Sequence, residues 1–146
     1  MDRSSMPKSI AIAVADFNDE LTARMLAQAQ EEAKKADAKI VKTVHVPGTY
    51  DLPLVVATLL EREDVDAAVA LGAVITGETK HDEIVVSTAA KQLSDLSIEF
   101  GKPVGMGIIG PGATHAQAQA RADGYARRAV KAALRLIDAQ QEAQDE

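Results

Sequence analysis

The sequence predicts an α/β fold: a three-layer βαβαβαβα sandwich around a four-stranded parallel sheet. Three observations predict it. Short apolar, β-branched or alanine-rich runs alternate with amphipathic stretches four times over. No internal repeat or linker breaks the alternation. Each run ends in a junction of small, turn-forming or capping residues. Strict alternation implies right-handed crossovers with helices on both faces of the sheet. We therefore expect one domain over residues 1–146, with 1–7 and 139–146 flexible.

The first strand is read at residues 8–15 (KSIAIAVA), ended by Asp16-Phe17-Asn18-Asp19. Asn18 or Asp19 can cap the next helix by accepting from its free N–H groups. Leu21, Met25, Ala29 and Ala33 recur every four residues and give the helix over 18–35 one buried stripe. Residues 38–46 alternate enough for a second strand, and Pro47-Gly48-Thr49 forces a turn. A second helix is expected from 50 or 51 to 62, with Pro53 in its first turn, where the missing N–H costs nothing. Residues 67–74 are apolar almost throughout, the mark of a central strand buried on both faces. The third helix covers 82–100, stopped by Gly101, and the fourth strand covers 104–109, broken by Gly110-Pro111-Gly112. Thr114 caps a long final helix, whose polar tail QQEAQDE is expected to fray.

Composition narrows the function. Of 146 residues none is cysteine, so a disulfide framework, a thiolate nucleophile and a thiolate metal site are all excluded. The formal charge of −6 argues against nucleic acid or an anionic membrane as the main partner. No apolar run reaches the ~20 residues that span a bilayer. The leader MDRSSMPK has no apolar signal core, so a cytoplasmic protein is expected.

In an open parallel sheet ligands bind beyond the carboxyl ends of the strands, and all four strand-to-helix junctions lie on that rim. His81 directly precedes a helix there. It can serve as a general acid or base, or take the commoner role of a capping or surface histidine. His45 and His115 have no partner at metal-ligand spacing and are left as structural or exposed, so no metal site is inferred. Gly77, Thr79 and the helix start at Asp82 can offer N–H groups to an anion, as can the stretch 110–114, but plain turn geometry explains the same glycines. Neither stretch matches a phosphate-loop or dinucleotide pattern. Arg121 can meet a phosphate with its fork or simply be solvated. Phe17 covers the core or forms a wall on which a flat ring can stack, and Tyr50-Asp51 is similarly open. Asp51 can serve the helix dipole or accept from a polar ligand. The residues alone thus point to a rim site for a small anionic or polar ligand.

Taken together, the junctions resemble those of the 6,7-dimethyl-8-ribityllumazine synthase family, and the GETKHDEIV stretch is most similar to its archaeal branch. The resemblance rests on Phe17-Asn18, on Val46-Pro47-Gly48-Thr49-Tyr50-Asp51-Leu52-Pro53, and on Gly72-Ala73-Val74-Ile75-x-Gly77-x-Thr79-x-His81. Residues 103–109, Gln117-Ala118 and Arg121-Ala122 extend it, so it runs over about 9–137. It implies a flavodoxin-like fold and the condensation of a ribitylamino-pyrimidinedione with 3,4-dihydroxy-2-butanone 4-phosphate, losing phosphate and water. It implies no metal and no organic cofactor. By resemblance Phe17 stacks on the pyrimidine, while Asn18, Thr49, Tyr50 and Asp51 line the ring and ribityl pocket. Backbone groups at Val74 and Ile75 bind the pyrimidine edge, and Gly77, Glu78, Thr79 and Arg121 hold the phosphate. His81 transfers protons, and Met106 comes from a neighbouring subunit of a homo-oligomer: a pentamer, a decamer or a 60-subunit shell.

The chain also departs from the family pattern. Asp51 stands where a glutamate is usual, Thr76 where an arginine is frequent, and Met106 where an aromatic residue is common. A lysine often found after the phosphate arginine is replaced by Arg127 or Arg128, and a Gly-x-Lys-x-Gly-Asn stretch of many capsid-forming members is missing. Two alternatives compete: an archaeal-type riboflavin synthase and an inactive shell-forming relative. The Thr79-x-His81 loop with Phe17-Asn18 argues against the first, and His81 with Arg121 against the second.

Overall fold

The computed structural model describes residues 6–77 and 80–146. In chain order these form β1 (Ser9–Ala15), α1 (Asp19–Lys35), β2 (Lys39–Val46), a 3-10 turn (Thr49–Asp51), α2 (Leu52–Leu60), β3 (Ala67–Ile75), α3 (Asp82–Phe100), β4 (Val104–Ala113) and α4 (His115–Gln144). The strands make one parallel sheet in the order β2-β1-β3-β4. This is the α/β sandwich the alternation predicts.

Alternation along the strands builds two cores. Ile10, Ile12 and Val14 of β1 join Val69, Leu71 and Ile75 of β3 beneath α1 and α4. Ala11, Ala13 and Ala15 join Ala68, Ala70 and Val74 beneath α2 and α3. All nine residues of β3 are buried, as expected of a central strand. The alanines of α4 have a specific use. A Cβ on Gly105 of β4 would run into the carbonyl of Ala129, and one on Gly107 would lie 2.9 Å from the Leu71 side chain. Helix and strand therefore touch almost backbone to backbone.

Several boundaries differ from the pattern reading, each for a local reason. β4 does not break at Gly110-Pro111-Gly112 but continues to Ala113. After a register shift Ile75 pairs with Ala113, and the Thr76 N–H donates to the Ala113 carbonyl at 2.7 Å. Gly110 makes this passable: its φ is 106°, and a Cβ there would collide with the Val74 carbonyl. The second helix starts as a 3-10 turn and stops at Leu60, not Arg62, and Lys102 Nζ caps that end by donating to the carbonyls of Leu60 and Arg62, both at 2.8 Å. Thr114 does cap α4: its hydroxyl accepts from the Gln117 N–H at 3.1 Å, and the Gln117 side chain accepts from the Thr114 N–H at 3.0 Å. α4 itself runs through most of the polar tail, to Gln144.

Candidate active site

The strand order places one crevice on the rim. From β1 the chain first moves outward to β2 and then returns past β1 to β3, so the topological switch point lies between β1 and β3. The loop after β1 carries Phe17 and Asn18, and the loop after β3 carries Gly77 and leads to His81 at the start of α3. The turn after β2 sets Tyr50 and Asp51 on the same rim. Phe17 and Tyr50, 58 % and 61 % exposed, present apolar rings where most large apolar side chains are buried.

Asn18 does not cap α1 with its side chain. It occupies the N-cap position in the left-handed region (φ 67°, ψ 47°) with no side-chain capping bond. Instead its Nδ2 donates across the crevice to the Ala73 carbonyl at 2.8 Å. Asp51 folds back on its own turn, Oδ2 accepting from the Gly48 N–H at 2.9 Å. Thr49 is turned inward: it is 5 % exposed and packs against Gly72, where a Cβ would sit 2.6 Å from its Oγ1. Val74 and Ile75 bury their side chains in opposite cores, so they offer the rim main chain only. Gly77 is exposed with φ 87°, a conformation glycine adopts freely. His81 is exposed at the head of α3, its carbonyl accepting from the Val85 N–H at 2.9 Å. Glu78 and Thr79 lie outside the described residues.

Met106 and Arg121 are on a different surface. Met106 lies opposite Ala70, five residues short of Ile75, roughly 16 Å down the sheet from the rim, and is 47 % exposed on the open edge strand. Arg121 is exposed about two turns into α4. The face of α4 towards α1 is marked by Arg24, which reaches the Gln119 carbonyl and Asp123, and by Arg127, which donates to Gln28 at 2.7 Å. Arg121, Tyr125 and Arg128 follow i, i+4, i+7 spacing on the opposite flank, which overhangs the open edge of β4. Arg128 stacks on Tyr125 at 5.1 Å from the ring centroid. Arg128, and not Arg127, is therefore the cation that shares a face with Arg121.

Sequence reasoning set His45 aside, yet its Nδ1 meets Asp16 Oδ1 at 2.7 Å beside the rim. Only the register of β1 on β2 brings the two together, and periodicity does not reveal register. Among the described residues no group of three or more His, Asp or Glu could hold a metal ion, and no helix is long and apolar enough to cross a membrane. A cleft at the opposite end of the sheet, near Lys8, Glu63, Asp66 and Asp138, lies far from the switch point, and Lys8 there already pairs with Asp138 at 2.9 Å.

Comparison with known proteins shows the family. The family model for 6,7-dimethyl-8-ribityllumazine synthase matches residues 7–141. A protein of that name from Staphylothermus marinus is 54% identical over 129 residues, covering 88% of this chain and 86% of its own. One from Saccharolobus islandicus is 53% identical over 128 residues (88% and 83%), and one from Methanoculleus marisnigri 48% over 132 (90% and 97%). With residues 7–141 matched by the family model and relatives about half identical over nearly the whole chain, this protein belongs to the 6,7-dimethyl-8-ribityllumazine synthase family.

Proposed function

We propose that the rim crevice condenses 5-amino-6-(D-ribitylamino)uracil with 3,4-dihydroxy-2-butanone 4-phosphate to 6,7-dimethyl-8-ribityllumazine, releasing phosphate and water, as a transferase of riboflavin biosynthesis. The observation that carries this reading is the gathering of an exposed ring, strand-end main chain and a histidine at the switch point of a family member's sheet. Phe17 is the platform on which the pyrimidine stacks, worth about 1 kcal/mol beyond the area it covers. Main-chain groups at Val74 and Ile75 read the pyrimidine edge, while Asn18, Tyr50 and Asp51 border the ribityl chain. Thr49 seats that border from within, and Gly77, Glu78 and Thr79 receive the phosphate.

Imine formation, phosphate elimination and ring closure each move a proton, and none needs a strong protein nucleophile. His81 supplies the exchangeable proton, and the pocket supplies orientation, so that two substrates meet as if at high effective concentration. No metal or organic cofactor enters this scheme. Met106 is exposed on the β4 edge, with Arg121 and Arg128 on the neighbouring flank of α4, which supports a second copy bringing them to the rim of the first. Arg121 and Arg128 then hold the phosphate, and the protein works as a cytoplasmic homo-oligomer built on a pentamer. Exposed Leu54, Ile84 and Ile98 on α2 and α3 suit such contacts. The test is lumazine formation from the two substrates, followed by absorbance and fluorescence with the purified chain. Product is expected; a folded, assembled sample that makes none would refute the assignment.

A further inference from the structure

The loop that carries Phe17 is held from two sides, by Asp16 and His45, which have no role above, and by Asn18, placed above at the ribityl border. β1 pairs with β3 only as far as Val14 opposite Leu71, so the two strands part just before the rim. Pairing with β2 continues to Ala15 opposite Val46 and then into the loop. There the Asp16 N–H donates to the Val46 carbonyl at 2.8 Å, and the Phe17 N–H to the Pro47 carbonyl at 2.9 Å. On the same side Asp16 Oδ1 meets His45 Nδ1 at 2.7 Å. Asn18 reaches the other way, its amide bonded to Ala73, two residues beyond the last β1–β3 pair. The neighbours of Phe17 thus anchor in opposite directions, Asp16 to β2 and Asn18 across the crevice to β3, and the ring stands between them, 58 % exposed.

The backbone carries a cost for this arrangement. A left-handed conformation is unfavourable for a residue with a Cβ unless its surroundings hold it there. At Asn18 that conformation serves a bond across the crevice and no side-chain cap.

We propose that Asp16, His45 and Asn18 are positioning residues that brace the Phe17 ring across the β1–β3 crevice, so that the stacking platform is ordered before the pyrimidine arrives. The proposal rests on the stacking role given to Phe17 above. Pre-ordering a platform improves binding by removing the ordering cost, without adding a contact to the ligand. Loosening the brace should therefore weaken the substrate that stacks and spare the one that does not.

The experiment measures KM for each substrate and kcat on the full assembled chain. We expect His45→Ala and Asn18→Gly each to raise KM for the ribitylamino-pyrimidine by about threefold to thirtyfold, with KM for the butanone phosphate within about twofold of wild type. Glycine is chosen at 18 because it keeps the left-handed backbone and removes only the amide. Asp16→Ala should reproduce His45→Ala, and His45→Asn, which retains a donor near Nδ1, should restore most of the loss. In a Phe17→Ala background His45→Ala and Asp16→Ala should each change pyrimidine KM by less than about 1.5-fold, since their effect passes through the ring, whereas Asn18→Gly keeps the part that comes from its own place at the ribityl border. An equal effect in that background, or a rise in both KM values, would overturn the brace. So would a wild-type KM for His45→Ala, or for Asp16→Ala should the histidine variant fail to fold. If Phe17→Ala alone leaves pyrimidine KM unchanged, the stacking role itself falls, and the brace with it.

Discussion

Gly72→Ala tests whether the turn bearing Tyr50 and Asp51 is seated on β3. A Cβ at position 72 would meet Thr49 Oγ1 at 2.6 Å, with Thr49 Cβ and Leu52 Cδ1 already at 3.5 Å. Ordinary contact requires Thr49 to retreat by about 0.8 Å. Thr49 is buried and opens the 3-10 turn, so it cannot retreat without moving Tyr50 and Asp51. Overpacking of this kind costs about 1–3 kcal/mol, a fall in Tm of roughly 3–10 °C for a chain of this size. Thermal unfolding followed by circular dichroism at fixed protein concentration measures the stability loss, and substrate KM values measure the displaced turn. We expect pyrimidine KM to rise severalfold and phosphate KM to change little. Thr49→Ala removes the clashing oxygen, so the cost of Gly72→Ala should fall by at least half in that background. An unchanged Tm and pyrimidine KM in the single variant, or an undiminished cost in the double, would refute the seating argument.

The other predictions concern single side chains. His81→Ala should lower kcat tenfold to a thousandfold with assembly intact, and unchanged turnover would remove its proton-transfer role. Arg121→Ala and Arg128→Ala should both raise KM for the phosphate substrate more than for the pyrimidine, whereas Arg127→Ala, which loses only its bond to Gln28, should leave both KM values near wild type; the reverse ranking would contradict the two faces assigned to α4. Lys102→Met strips two charged hydrogen bonds from the end of α2 and should cost about 1–3 kcal/mol in chemical denaturation, so an unaltered midpoint would count against that cap. The Asp64 carboxyl is held below its ordinary value by the hydrogen bond from Arg62, so the pair favours the fold above about pH 4 and the contribution is lost as pH falls through the lowered value. Carboxyl NMR should show that midpoint rising in Arg62→Gln, and no rise would exclude the pairing as its cause.

The elements were legible because burial writes its period into the chain: the unbroken apolar run of β3 and the four-residue stripe of α1 admit few other folds. Phe17 and Tyr50 were legible because large exposed rings at junctions conflict with the usual polar turn. What periodicity cannot carry is register and strand order. The crevice depends on β3 lying beside β1, and the Asp16–His45 contact on β2 lying on its other side; neither neighbour is fixed by local pattern. Asn18 reads as a helix cap because that is the local competitor for its side chain, and a carbonyl 55 positions away won. β4 seemed to end at Gly110 because glycine and proline usually break strands, but pairing of Ala113 with Ile75 carried it further.

The alanines at 129 and 133 follow from where α4 must lie. Gly105 and Gly107 remove the side chains that would hold a helix at ordinary distance, and Ala129 and Ala133 occupy the space released. A helix seated this closely has little freedom to roll, because rolling would drive its backbone into the strand. Its rotation is fixed, and with it the flank on which Arg121, Tyr125 and Arg128 emerge. Had Gly105 been alanine, the contact with the Ala129 carbonyl would force the helix outward or round its axis, and the arginines would leave the edge of β4. Small residues deep in the core, distant from any substrate, thus determine where positive charge stands on the surface. On the proposed reading, in which Arg121 and Arg128 hold the phosphate, they constrain the site as firmly as the residues that line it.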